Sequence, residues 1–309
     1  MSDPTATARS LIWRGALTTR ARLARAGGAL VSPGLLWIIF FCALPTLLLF
    51  CVAFASRSDS GGIEWTFTFD NFRQLAGYGT FGWTSTNLAI IGRSLSIAAV
   101  TTVLCTLLAY PLAFFIASRP RHTRLIWLVV LTVPFWTNLI VRTYAWLIVL
   151  GPDSPITQLA TYLGFIAPGQ ALYPGTFATC MGMITAFLPF MVMPLYAAVE
   201  KLDWNLLEAA QDLYSSRLRV FRHAIFPQTA AALSVGIILT FIPAMGMFLV
   251  SDILGGAKFM LIGNLIQLQF GFGSGNPPYA AALSLMLILL TLFIVAAFAR
   301  LGGKKEDLL

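Results

Sequence analysis

The sequence predicts an all-α polytopic membrane protein with six transmembrane helices. Three observations predict it. Of 309 residues, 58% are hydrophobic and only 10% are charged, against roughly 25% charged in a soluble domain. The mean hydropathy is +0.81. Six mostly apolar stretches, near 34–56, 92–117, 125–149, 176–199, 229–250 and 280–299, each reach the roughly 20 residues needed to cross a hydrocarbon core. Together they leave no room for a large soluble domain, so 1–309 reads as a single transmembrane domain.

Residues 1–30 form a basic arm carrying Arg9, Arg14, Arg20, Arg22 and Arg25. Scattered Leu, Ile and Trp suit it either to lie on a membrane surface or to act as a solvated arm that sets topology. Ala53-Phe54-Ala55 resembles a signal-peptidase site. The apolar core and the segment before it are both longer than a signal peptide's, so the first span is expected to be a retained anchor.

Net charge is +8, from 20 Lys+Arg and 12 Asp+Glu. In a soluble protein this excess would raise nucleic acid as a partner. Here the loops sort it. Arg119, Arg121 and Arg124 stand between spans two and three. Lys201, Arg217, Arg219 and Arg222 stand between spans four and five, and Arg300, Lys304 and Lys305 follow span six. With the arm, fifteen positives share one side; Arg57, Arg73 and Lys258 occupy the other; Arg93 and Arg142 lie at or inside spans. The positive-inside rule places the fifteen, and both termini, in the cytoplasm. An even number of spans requires the termini to share a side.

Pro45, Pro111, Pro134, Pro189, Pro194 and Pro243 fall within spans. Each removes a backbone donor and favours a kink, as in helices that bend around a transport path. Cys42, Cys51, Cys105 and Cys180 all fall in apolar stretches and read as buried thiols.

Catalytic patterns are missing. His122 and His223 lie in basic loops, away from any acid–Cys cluster that would hold a metal. No Gly-x4-Gly-Lys-Ser/Thr loop is present; Gly255-Gly256-Ala257-Lys258 and Gly302-Gly303-Lys304-Lys305 lack its spacing and hydroxyl. Gly273-Ser274-Gly275 has no membrane-depth histidine to activate its serine. The chain is therefore expected not to be an enzyme and to bind no cofactor of its own.

The loop 200–227 is the most informative stretch. Leu206, Leu207, Ala210, Leu213 and Tyr214 recur at helical spacing, with Asp203 placed as an N-cap. Ser215 or Ser216 would cap a second short helix carrying Leu218 and Phe221, which Pro227 would stop before span five. Small residues at Ala209 and Ala210 would admit a partner's groove, or the loop would pack on its own bundle.

Glu208-Ala209-Ala210-Gln211-Asp212-Leu213, with Phe221 and Pro227, resembles the EAA motif of ABC-importer permeases. Longer stretches are similar to spermidine/putrescine permeases of the PotB type. They are Val133-Pro134-Phe135-Trp136-Thr137-Asn138, Arg142-Thr143-Tyr144, Leu188 to Tyr196, Glu200 to Asp203, Pro243 to Gly246, Val250 to Lys258 and Leu261-Ile262-Gly263-Asn264. Related opine and amino-acid permeases share parts of these. The family usually has glycine where Tyr214 stands. A bulky residue in a left-handed turn costs about 1–2 kcal/mol, so the bend is expected at Ser215 or Ser216 instead.

The resemblance implies the type I ABC importer permease fold, MetI-like, in a bacterial inner membrane. It implies a second, PotC-like permease, two PotA-like ATPase subunits that bind ATP and Mg, and a PotD-like periplasmic polyamine-binding protein. Glu208, Ala209, Ala210, Asp212 and Leu213 would then couple to the ATPases. For a cationic cargo, Trp136, Asn138, Tyr144 and Asp252 are the expected path residues, since a cation over an aromatic face gains about 0.5–2 kcal/mol. Trp136 and Tyr144 would otherwise anchor or pack, and Asp252 would otherwise pair with Lys258. Arg142 would repel a polyamine, and is expected to pair with an acid or line a subunit interface. A permease for an opine or cationic amino acid is the alternative cargo; a stand-alone channel or membrane enzyme is the remote one.

Overall fold

A computed structural model describes residues 31–303 apart from 59–60, 80–81, 204, 206–207, 209–211, 213–215, 257–258 and 272–274. The described residues fall into two units, one ending at Val52 and one beginning at Ala53. The first is helix α1, running to Ala53 from Val31. Within it the Thr46 hydroxyl donates to the Cys42 carbonyl at 2.8 Å, and Trp37 packs on Phe41 with ring centroids 4.5 Å apart. The basic arm lies outside the described residues.

The second unit opens with two small antiparallel ribbons, β1 (Ser56–Arg57) with β2 (Ile63–Glu64) and β3 (Tyr78–Gly79) with β4 (Gly82–Trp83). Between them lies α2 (Asp70–Leu75). Asn71 on α2 is buried and donates to the carbonyls of Ala53 and Ala55, at 2.9 and 2.8 Å.

Three long helices make the core: α3 (Thr86–Ala117), α7 (Thr176–Glu200) and α8 (Leu218–Gly246). α3 meets α7 through Ala98, Thr101, Cys105, Ala109 and Ala113, all buried and recurring every three or four residues. Small residues at this spacing let backbones approach where no hydrophobic effect drives helices together in lipid. Gly236 on α8 serves the same end: a Cβ there would lie 2.6 Å from the Met191 sulfur on α7. The Tyr110 hydroxyl and Thr229 Oγ1, 3.0 Å apart, bridge α3 to α8.

The third span is not one helix. It is α4 (Arg121–Trp136) and α5 (Leu139–Val149), bent by 92°. Among the described residues five helices are long and apolar enough to cross a membrane, and six spans result when this bent pair counts as one. α6 (Pro155–Tyr162) follows, its first turn capped by Ser154, which accepts from Thr157 N at 3.1 Å.

The fifth span differs from expectation at both ends. Pro227 does not stop a separate helix; α8 runs through it. A π turn at Phe221–Ile225, with Phe226 N donating to Phe221 O, precedes the proline. That wider turn disposes of the donor that proline lacks. At its far end α8 stops at Gly246, and Met247 is extended. A short α9 (Leu249–Gly255) then begins, followed by α10 (Ile262–Phe270) and the last span, α11 (Pro277–Gly303).

Of the span prolines, Pro111, Pro189, Pro194 and Pro243 sit inside continuous helices. Pro134 likewise lies inside α4, two residues before its end, and Pro243 lies three residues before the end of α8. All four cysteines are free; Cys105 and Cys180 are buried, whereas Cys42 and Cys51 are exposed. The expectation that all four are buried fails for those two, because the hydropathy of an apolar stretch does not say which of its residues are covered.

Candidate functional site

At the α4–α5 break, Thr137 and Asn138 turn extended, with ψ of 147° and 134°. The Asn138 side chain accepts from Ile140 N at 2.8 Å and caps α5. A side chain that offers the backbone this alternative partner competes with a continuous helix. Breaking a helix inside a membrane exposes carbonyls that must be satisfied locally. The Pro134 carbonyl is satisfied twice: by the Thr137 hydroxyl at 2.7 Å and by Arg142 Nη1 at 3.1 Å. The Arg142 guanidinium also stands over Phe135, 5.7 Å from the ring centroid. Among the described residues no acid lies within ion-pair distance of it. The expected acidic partner is replaced by a backbone carbonyl and a π face, both local to the break.

Trp136 ends α4 and is 79% exposed. Tyr144, on α5, is 53% exposed. Trp146 on the same helix is turned inward instead, its Nε1 donating to Thr185 on α7 at 3.0 Å. Phe135 meets Phe190 of α7 edge-on, with centroids 5.0 Å apart. The break is thus held against the core helix while Trp136 and Tyr144 stay free.

Asp252 is exposed and lies on α9, beyond the break that ends α8. It therefore does not stand at the end of a continuous fifth span. Asn264 Nδ2 approaches its carboxylate at 3.4 Å. Lys258 lies outside the described residues. α9 packs on α5, so the elements carrying Tyr144 and Asp252 are neighbours, one the second half of the broken third span and the other a short helix that follows the fifth.

Sequence reasoning gave no role to the residues that fix this second break. Asn264 is buried; it accepts from Leu261 N at 3.1 Å and donates to Phe248 O at 3.1 Å. Ser94 on α3 accepts from Ile262 N at 2.8 Å. Gly263 lies so close to the Gly246 carbonyl that a Cβ there would collide with it. An asparagine set among Leu261, Ile262, Leu265 and Ile266 was the available signal, because a buried amide needs partners.

At the other end of the bundle lies the loop after α7. Asp203 accepts from Asn205 N at 3.0 Å, as an N-cap should. Glu208 and Asp212 are helical and exposed. Ala209, Ala210, Leu213, Tyr214 and Ser215 lie outside the described residues. Before the loop, Glu200 at the end of α7 forms an ion pair with Arg124 of α4 at 3.0 Å. After it, Phe221 in the π turn packs edge-on against Tyr110, with centroids 5.3 Å apart. The loop is anchored to the bundle on both sides and offers carboxylates between.

A bundle of long apolar helices with one broken span, and with an exposed helical loop at the end away from the break, suits a membrane transport subunit. The fold matches two solved chains, from a bacterial ABC transporter involved in the import of the acidic polysaccharide alginate and from the bacterial alginate ABC transporter in complex with a pentasaccharide-bound periplasmic protein. The TM-scores are 0.62 and 0.66 at 15% identity, covering 93% of this chain and 98% and 96% of those chains. The fold is therefore the ABC-importer permease fold.

The chain belongs to the family of binding-protein-dependent transport system inner membrane components, whose model matches residues 109–305. It is 38% identical over 276 residues to the spermidine/putrescine transport system permease protein PotB of Escherichia coli (strain K12), covering 88% of this chain and 97% of that one. It is 34% identical to PotB of Haemophilus influenzae over 275 residues, 88% and 93% of the two chains. A third relative, the Escherichia coli inner membrane ABC transporter permease protein YdcU, is 30% identical over 70% of this chain and 72% of its own.

Proposed function

We propose that this chain is a permease subunit of an ATP-driven importer of polyamines of the spermidine/putrescine class. The observation that carries the reading is the near full-length identity with proteins named PotB. Fifteen of its 20 cationic side chains fall in alternate loops, which sets the loop 200–227 and both termini in the cytoplasm. The α9–α10 end then faces outward.

In this reading a second permease completes the path, two ATPase subunits bind ATP and Mg, and a periplasmic binding protein delivers the cargo. The ATPases grip the helix carrying Glu208, Ala209, Ala210, Asp212 and Leu213. Their closure moves it as a lever, and the motion passes into α7 and α8, which flank the loop. The packed α3–α7–α8 core transmits it as a rigid body. At the outer end the short helices α5 and α9 swing with it and switch access.

The path residues act by simple electrostatics. Trp136 and Tyr144 present π faces to ammonium groups, Asp252 supplies a carboxylate, and Asn138 sets the start of α5. Arg142 keeps its positive charge, but its guanidinium is directed at the Pro134 carbonyl and the Phe135 ring and away from the role of a cargo ligand.

The experiment is co-purification with the partner subunits, reconstitution in vesicles, and uptake of labelled spermidine in competition with putrescine, an opine and arginine. Competition by polyamines alone supports the reading. Competition by arginine or the opine, without polyamine uptake, assigns the chain to that cargo instead. Uptake without the ATPases would make it a stand-alone channel.

A further inference from the structure

We propose that Arg142 is a positioning residue that locks the bend between α4 and α5 and so fixes where Trp136 stands. The inference rests on the permease class alone and not on the choice of cargo.

Arg142 follows Pro134 by eight residues. In a continuous helix two such residues stand about 12 Å apart along the axis, beyond the reach of a 3.1 Å hydrogen bond between side chain and carbonyl. The bond therefore exists only when the span is bent. Helical side chains lean toward their own N-terminus, so a long side chain on the first turn of α5 points back at the last turn of α4. The guanidinium meets two features there at once, the Pro134 carbonyl and the face of Phe135. Phe135 is itself wedged edge-on against Phe190 of α7. The bend is thus tied to the core, and Trp136, the next residue, is held outward with 79% of its surface exposed.

The hydroxyl of Thr137 donates to the same carbonyl, but it is only three residues away and is local to the last turn of α4. It does not span the break. Arg142 Nε is buried and has no hydrogen-bond partner among the described residues. The unsatisfied Nε is a cost that the Nη1 bond and the ring contact offset.

The test uses the assembled transporter in lipid nanodiscs. Spin labels on unnatural amino acids at Ile126 of α4 and Ile148 of α5, both exposed, report the distance across the bend. The unmodified chain should give one narrow distribution. Arg142→Met should broaden it toward longer distances and lower uptake roughly tenfold, the worth of a hydrogen bond to a charged group. Thr137→Val should leave the distribution narrow. An unchanged distribution in an assembled Arg142→Met transporter overturns the proposal. So does broadening in Thr137→Val as large as in Arg142→Met, which would assign the lock to Thr137. If Arg142→Met does not assemble, Arg142→Lys takes its place, since it keeps the charge but loses the planar fork. Broadening in that variant supports the lock, and the wild-type distribution overturns it.

Discussion

Arg124 Nη1 donates to Glu200 Oε1 at 3.0 Å, which ties the first turn of α4 to the last residue of α7. Arg124 Nε meanwhile donates to the Arg119 carbonyl at 2.8 Å, so two bonds orient the guanidinium. Glu200 opens the loop that carries Glu208 and Asp212. In the proposed mechanism this pair would give a displacement of that loop a second route, beside the packed core, to α4 and the break at Trp136.

Reversing this pair should separate coupling from folding. The two side chains are 27% and 40% exposed, and such pairs contribute only about 0.2–1 kcal/mol. Glu200→Arg is expected to leave assembly intact and to lower uptake per ATP hydrolysed by up to about fivefold. The double variant Arg124→Glu, Glu200→Arg should recover most of it. Both ratios are read in vesicles containing the partner ATPases. A double variant no better than the single one would refute the link.

Glu208→Arg, or Ala210→Trp, should abolish ATP-driven uptake while the chain still reaches the membrane. Membrane fractionation and uptake on the same cells check this. Normal uptake in both variants would remove the loop from the coupling pathway.

Trp136→Ala and Asp252→Asn address the path. Loss of a cation–π contact worth about 0.5–2 kcal/mol corresponds to roughly a 2- to 30-fold weaker apparent affinity. Concentration dependence of spermidine uptake measures it, with co-purified ATPase as the control for assembly. Unaltered uptake in Trp136→Ala would make that ring an interfacial anchor.

Gly263→Ala probes the second break. The new methyl would meet the Gly246 carbonyl, which as backbone cannot rotate away, so a loss of about 1–3 kcal/mol is expected. Asn264→Leu should cost a similar amount, about 1–3 kcal/mol, by stranding Leu261 N and Phe248 O. Thermal unfolding in detergent reads both as lowered midpoints. A wild-type midpoint for Gly263→Ala would mean that α8 and α10 separate freely.

Much of the fold was legible because length and hydropathy act on whole segments. The ends of α3 and α7 fall close to the apolar stretches, and Asp203 caps as its position suggests. What hydropathy does not register is a change of backbone direction inside an apolar run. Residues 125–149 read as one span because Thr137 and Asn138 are too few to lower its average. Their effect is conformational, and so is that of Arg142, whose partner lies on the far side of the bend. The π turn at Phe221–Ile225 escaped for the opposite reason: Pro227 is a strong stop signal that one widened turn defeats. Helices α9 and α10 were read as loop because each is too short to span. At the site, the path residues and the loop acids were visible by type. Gly263 and Asn264 stood in a family-like stretch without a role, and Ser94 stood in none, since their importance lies in contacts between distant segments.

The bent span also constrains how the protein is made. α4 has 16 residues and α5 has 11, and neither reaches the roughly 20 needed for insertion alone. The insertion machinery must therefore accept residues 121–149 as one continuous apolar segment, and the bend must arise afterwards, once the chain is in lipid and α7 has been delivered for Phe135 to rest against. The turn on which the proposed switch depends would then be a late event in biogenesis, closed by the side chains of α4 and α5 themselves and steadied by α7.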